Sequence, residues 1–224
     1  MNRWFKGNSR NGTSGGCPSI IRSTETPVSM SDRQALRNAI RTQRRAIPAE
    51  TARRNAARLA QHAVRQSLLL NSHHIAGFLP ADGEMDPLPL MHRLWSLGKI
   101  IYLPVLTPFN RCRLWFARFE PGDELVYNRY GIPEPVRRRL IKPTALDLVL
   151  TPLVGFDADG NRLGMGGGYY DRSFAFLHRR SHWQKPRMLG IAYELQQLPA
   201  IDASHWDIPL DAIVTEKMFY PARV

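Results

Sequence analysis

A chain of 224 residues with 43% hydrophobic residues is long and apolar enough for one domain with a sizeable core. Its two cysteines, Cys17 and Cys112, exclude a disulfide framework and any C-x-x-C site, and point to a reducing, cytoplasmic setting; no apolar stretch approaches the roughly 18 residues of a membrane span. The net charge of +12 is uneven: 13 of the 31 Lys and Arg residues, but only 3 of the 19 Asp and Glu residues, fall in the first 65 positions, so a basic RNA-binding protein using N-terminal arginine-rich helices stands as an alternative to an enzyme.

Residues 1–29 read as a disordered, dispensable extension. Asn8 to Ser19 is rich in Gly, Ser, Asn and Thr, lacks apolar periodicity and has no secretory h-region, so its deletion should barely change melting temperature or activity. A domain is expected over 30–224. Ser31 or Asp32 can cap a helix that Pro48 ends; Leu36, Ile40 and Ile47 share one side, and Arg33, Arg37, Arg41 and Arg44 form an adjacent stripe. Of these arginines, Arg41 and Arg44, with Arg45, read as a solvated face.

A second helix is expected across about 50–70. Alternation follows: strand 75–79, helix 88–97, strands at 100–104 and 114–117, a continuous apolar run at 146–156, and strands at 188–192 and 212–214. This order predicts an α/β fold, a single domain with a largely parallel sheet flanked by helices in a Rossmann-like three-layer arrangement behind an N-terminal helical pair. Sites in such sheets collect beyond the carboxyl ends of strands, where Leu79, Glu84 and a glycine-rich run fall.

That run, Gly160-Asn161-Arg162-Leu163-Gly164-Met165-Gly166-Gly167-Gly168-Tyr169-Tyr170-Asp171-Arg172, is the sharpest motif in the chain. Glycines let backbone N–H groups approach an anion, a helix starting beyond them would aim its free amides at the same place, Arg162 adds fixed charge, and Asp171 is an oxygen ligand suited to a phosphate-bound Mg²⁺. The expected order is strand, polar turn at 157–161, glycine loop, then a helix burying Tyr170, Phe174, Phe176 and Leu177. It is not a P-loop, because no Lys-Ser or Lys-Thr occurs; nor is it a G-x-G-x-x-G fingerprint, because Tyr169 stands where the last glycine belongs.

Together with Arg33-Gln34-Ala35-Leu36-Arg37, Phe78-Leu79-Pro80-Ala81-Asp82-Gly83-Glu84-Met85-Asp86, Gly131-Ile132-Pro133-Glu134-Pro135 and Trp206-Asp207-Ile208-Pro209-Leu210-Asp211, this run resembles the 5-formyltetrahydrofolate cyclo-ligase family from about Ser31 to the C-terminus. The resemblance implies an ATP-driven closure of 5-formyltetrahydrofolate to 5,10-methenyltetrahydrofolate, with ADP and phosphate released after the formyl oxygen is phosphorylated. It implies ATP contacts from Arg33, Arg37, Arg162, Leu163, Gly164, Met165, Gly166, Gly167, Gly168, Tyr169 and Tyr170, with Arg162 and Arg37 as the catalytic charges. It further implies folate contacts from Leu79, Glu84, Tyr130 and Tyr169, and Mg²⁺ held by Asp171 and Asp211. Each acid has an alternative as a helix-cap or strand-end residue, and Tyr169 and Tyr170 have an alternative as core aromatics. Arginine replaces the family's first lysine at Arg33, and Gly167 stands where the family's loop often carries a lysine. The chain is expected to act as a monomer. His178 and His182 have metal-compatible spacing but no third ligand, and Trp95, Trp183 and Trp206 read as core residues.

Overall fold

In the strands the apolar side chains alternate between two faces with a period of two, and the two faces build two cores. The computed structural model describes residues 30–107, 110–128, 131–137, 139–180 and 185–222. The extension over 1–29, Tyr130, His182 and Trp183 lie outside these residues.

Helices α1 (Met30–Arg45), α2 (Ala49–Ala63) and the short α3 (Ser67–Leu70) lead into β1 (His74–Ala76), α4 (Leu88–Ser96) and the hairpin strands β2 (Ile100–Thr107) and β3 (Asn110–Phe119). A small ribbon of β4 (Leu125–Tyr127) and β5 (Pro133–Pro135) comes next, then β6 (Leu140–Ile141) and β7 (Leu148–Pro152). The hairpin of β8 (Gly155–Phe156) and β9 (Arg162–Leu163) precedes α5 (Tyr169–Phe174); β10 (Arg187–Ile191), β11 (Ala212–Val214) and β12 (Phe219–Pro221) follow. The main sheet has the order β12-β11-β10-β7-β1-β2-β3-β6; the five strands from β11 to β2 are mutually parallel, β12 and β3 run antiparallel to them, and β6 pairs antiparallel with β3 at the edge.

Ile75, Ile101, Leu103, Leu148, Leu150, Leu189, Ala212 and Val214 point to one face, where they meet Ala56, Leu59, Ala60 and Ala63 of α2 and Leu90, Met91 and Leu94 of α4. Their neighbours Ala76, Tyr102, Val149, Met188 and Ile213 point to the other face and meet Phe174 of α5. The three layers and the largely parallel sheet expected from the alternation are therefore present. The helix expected over 50–70 is two helices, because Gln66 takes an extended conformation (ψ 136°) between them. The apolar run at 146–156 is also two elements. After β7 the chain turns through Leu153 and Val154 into β8, and Asp157 organises the polar turn by accepting N–H groups from Asp159 (3.1 Å) and Asn161 (2.9 Å). The glycine loop is thus fed by the short strand β9, not directly by the buried parallel strand.

The amino-terminal edge of the sheet is tied by Asp147. Its carboxylate accepts the backbone N–H groups of His73 and His74, each at 2.9 Å, and Lys185 Nζ at 2.8 Å. Burial alone would raise this carboxyl, but those three donors outweigh it and bring the pKa to about 2. A depressed pKa contributes stability above the ordinary 3.8, lost as pH falls toward 2. Asp147→Asn should therefore cost about 1–2 kcal/mol at neutral pH, allowing for screening at this partly exposed position. Urea unfolding of the two proteins should show that difference at pH 7 and near-convergence at the acid end; a gap unchanged with pH would remove the electrostatic explanation.

Candidate active site

Helix α1 is where the structure departs most from the expectation for its arginines. Leu36 and Ile40 pack against Val154, Leu163, Leu198 and Ile201, which lays the helix across the loops that follow β7 and β9. Arg44 continues the Leu36–Ile40 spacing and is 1% exposed, not solvated. It donates from Nε (3.1 Å) and Nη2 (2.9 Å) to the carbonyl of Asp82 and from Nη1 to the carbonyl of Leu153 (3.3 Å). Arg41 Nε reaches the Asp82 carboxylate at 2.6 Å, and Arg45 pairs with its other oxygen. Burial favours a neutral Asp82, yet the guanidinium groups of Arg41 and Arg45 hold its carboxyl below the usual aspartate range. Arg45 stays exposed, as expected, but all three arginines of the supposed RNA-binding face are engaged by Asp82 and Arg44 is buried, which counts against the nucleic-acid reading.

The other end of α1 meets the glycine loop. Arg37 Nε donates to the carbonyl of Gly164 at 2.9 Å, and Arg33 lies 3.8 Å from the carboxylate of Asp207. Gly166 (φ 94°) and Gly168 (φ 62°) occupy backbone regions that disfavour side chains. Among the described residues, no backbone carbonyl accepts an N–H from Gly164 through Gly168. Those donors are available to an anion. The helix beyond is only six residues long, so its contribution is the amides of the loop and first turn, not a long aligned dipole. Arg172 fastens the loop from outside: Nη2 donates to Gly167 O (2.6 Å), Nε donates to Cys112 O (2.9 Å), and the guanidinium sits 5.4 Å from the centre of the Tyr169 ring.

Arg162 and Asp171, read from sequence as separate charges, are bonded to each other. Arg162 is 7% exposed; it pairs through Nη2 with Asp171 and donates from Nε to Ile208 O (3.3 Å), while Asp171 also accepts the Ile208 N–H (3.2 Å). The remaining nitrogen, Nη1, borders the glycine loop, 3.5 Å from where a side chain on Gly164 would begin. Arg162 also lies 5.9 Å from the centre of the Tyr170 ring. Burial pushes the Tyr170 phenol well up, Glu84 adds to the rise, and Arg162 opposes it. Tyr170 stacks on Phe174 (27° between planes) and, like Tyr169, packs against the core.

Glu84 closes a turn after β1, its N–H donating to Ala81 O (2.9 Å) and its carboxylate accepting the Ala81 N–H (3.1 Å). Burial pushes its carboxyl above the usual glutamate range, against the pull of the Ala81 N–H and Arg44. Leu79, before the turn, is partly buried against the core. Arg37 and Arg44 are seven residues apart, about 10 Å along one helix axis. One helix therefore holds both the glycine loop and the Glu84 turn.

Asp211 has different surroundings. It precedes β11 at the amino-terminal edge, where its carboxylate accepts Arg187 Nη1 (2.5 Å) and the Met188 N–H (2.7 Å). It shares no hydrogen-bond partner with Asp171, and no group of three or more His, Cys, Asp or Glu among the described residues is arranged to hold a metal. Asp171 and the glycine loop fit a metal carried in on phosphates, which needs one protein carboxylate, better than a protein cage.

The sequence pattern of the 5-formyltetrahydrofolate cyclo-ligase family matches residues 29–216. This chain belongs to that family. It is 41% identical over 180 residues to the 5-formyltetrahydrofolate cyclo-ligase of Escherichia coli (strain K12), an alignment covering 79% of this chain and 96% of the relative. It is 29% identical over 195 residues to the mouse (Mus musculus) protein of the same name, covering 83% and 94%. The NMR structure of Aquifex aeolicus 5,10-methenyltetrahydrofolate synthetase superposes with a TM-score of 0.72 at 30% identity, over 86% of this chain and 93% of that one.

Three residues that hold the glycine loop and the Glu84 turn carry little signal in the sequence of this cyclo-ligase family member. Arg44 could have been found from its spacing, eight residues after Leu36 and four after Ile40, which places it on the buried stripe. Asp82 carried only its loop position as a signal. Arg172 belonged to the quoted glycine motif but received no role. Trp206, read as a core residue, is instead 59% exposed, on the segment whose Asp207 faces Arg33.

Proposed function

We propose that this protein catalyses the ATP-driven conversion of 5-formyltetrahydrofolate to 5,10-methenyltetrahydrofolate, with ADP and phosphate as the other products, in the cytoplasm. The observation that carries the reading is the joining, by one helix, of a glycine loop with unused amides to a turn presenting a half-buried carboxylate.

The chemistry explains why both ends are needed. The formamide nitrogen delocalises into its carbonyl, so the formyl carbon is a weak electrophile and its oxygen a poor leaving group. Attack of that oxygen on the γ-phosphorus expels ADP and forms an activated phosphate ester. N10 then closes on the formyl carbon, the C–O bond to phosphate breaks, and N10 loses its proton. Catalysis of such a transfer is mainly positioning and charge stabilisation. The amides of Gly164 to Gly168, Arg37, Arg33 and the Nη1 of Arg162 supply donors for the phosphates. Asp171 would hold Mg²⁺ entering with ATP, and the ion would neutralise phosphate charge. Glu84 would accept N–H groups of the pterin, with Leu79, Tyr130 and Tyr169 as apolar contacts. Gly167 leaves the loop without a lysine, so Arg162 and Arg37 carry the charge stabilisation.

Incubation with 5-formyltetrahydrofolate, ATP and Mg²⁺ should generate the methenyl chromophore, and absence of ATP-dependent product would end the proposal. Glu84 supplies a second check. Its carboxylate must be ionised to accept pterin N–H groups, and burial raises its pKa above 4.5. Folate KM should therefore climb on acidification while pH is still above the ordinary glutamate range. Glu84→Gln should raise folate KM by about tenfold or more and flatten that pH dependence.

A further inference from the structure

The Arg41–Arg44–Arg45 cluster around Asp82 lies outside the phosphate loop, and its geometry is specific. Asp82 is the only non-glycine residue with positive φ (52°) among the described residues, a conformation that aspartate tolerates at some cost. Its carbonyl takes two donors from one guanidinium and its carboxylate takes three arginines, so both halves of the residue are fixed. Gly83 continues the left-handed path (φ 72°) and backs directly onto α1: a Cβ there would stand 3.3 Å from Arg45 Cα and 3.4 Å from the Arg44 carbonyl. Met85, 1% exposed, anchors the other side of Glu84 in the core.

A surface ion pair has none of these features. Arg44 gives up water completely, and its third nitrogen spans to Leu153 at the end of β7, so the turn after β1 is referenced to the neighbouring parallel strand. Such an arrangement fixes where residue 84 begins. Electrostatically, Arg44 pulls the Glu84 carboxyl down and Asp82 pushes it up, and Glu84 in turn raises the Tyr170 phenol.

We propose that Arg44 and Asp82 are positioning residues for the substrate end of the site: together they lock the Ala81–Glu84 turn so that the Glu84 carboxylate is presented to the folate ring. This rests on the reading of Glu84 as a folate contact. It assigns the two residues a role exerted through Glu84, and it predicts that their loss is felt by one substrate only. The clamp leaves the glycine loop alone, because Arg37 holds that loop through a separate bond.

The test compares wild type with Asp82→Asn, Arg44→Lys and Arg44→Met in steady-state kinetics, varying 5-formyltetrahydrofolate and ATP separately, with a thermal melt of each protein. Asp82→Asn keeps size and tolerance of positive φ while removing the charge, so it should fold even if Arg44→Met does not. Folate KM should rise on the order of tenfold in Asp82→Asn and more in Arg44→Met, with ATP KM within about twofold of wild type. Arg44→Lys, which keeps charge but loses the fork, should recover only part of the loss. Equal shifts in both KM values, or folate KM unchanged in a folded Asp82→Asn protein, would overturn the positioning role while leaving the proposed activity intact. Inactive wild type would overturn the activity itself, and with it this inference.

Discussion

Asp171→Asn is expected to lower turnover by at least about a hundredfold, because one carboxylate serves two purposes. Its charge neutralises the nearly buried Arg162, whose Nη1 borders the glycine loop, and in the proposed reaction it would hold the cation that enters with ATP. Asparagine keeps the size and one acceptor, so the Ile208 N–H retains a partner. The Arg162 guanidinium, however, loses its counter-charge in a desolvated setting, and a fall of a few degrees in melting temperature should accompany the loss of activity. Two effects can be separated by titrating Mg²⁺ at fixed ATP. A lost metal contact moves the Mg²⁺ requirement upward, whereas a misdirected Arg162 raises ATP KM at every Mg²⁺ concentration. Asp211→Asn, at the amino-terminal edge, should chiefly change stability through Arg187 and Met188. A folded Asp171→Asn protein with near-normal turnover and unchanged Mg²⁺ dependence would place both roles elsewhere.

The layered fold was legible because burial on both sheet faces leaves a simple trace: short apolar runs of strand length separated by helical spacing. Pairing direction leaves none. Leu114 to Ala117 reads as a strand whether it runs with or against β2, and β12 is three residues with partly exposed side chains. Continuous apolarity also hides turns. Leu153 and Val154 are as buried as β7 itself, so the hairpin that follows could not be separated from it by hydropathy. At the site, the glycine run announced itself because free backbone donors demand a residue without a side chain. Arg44 was obscured for the opposite reason. Arginine on a helix is usually solvated, and a buried one is made tolerable here by the carbonyls of Asp82 and Leu153, 38 and 109 positions away in sequence, together with the Asp82 carboxylate. Pairings over such distances are invisible to local pattern, and the same holds for Arg162 with Ile208.

Gly168→Ala should weaken ATP binding by on the order of tenfold while the fold survives, and the reason can be traced to single atoms. Gly168 sits at φ 62° and ψ 18°, left-handed geometry that costs alanine roughly 1 kcal/mol or more. Its new Cβ would also stand 2.6 Å from Arg172 Nη1. Arg172 is a flexible side chain and can retreat, but retreat has a consequence: the same guanidinium group holds Gly167 O, and its Nε holds Cys112 O. Moving it releases the loop whose amides would meet the phosphates. The collision and the backbone strain are separable in a double-mutant cycle with Arg172→Ala, read as ATP KM. If the collision dominates, Gly168→Ala adds little once Arg172 is gone, because the loop is already unfastened and the space is open. If backbone strain dominates, the two effects add. Folate KM should move less than ATP KM in all three variants, since the Glu84 turn is held from the other end of α1 and only Tyr169, beside Arg172, links the loop to the folate. ATP KM within about twofold of wild type in Gly168→Ala would mean that the loop does not carry the phosphates in this conformation.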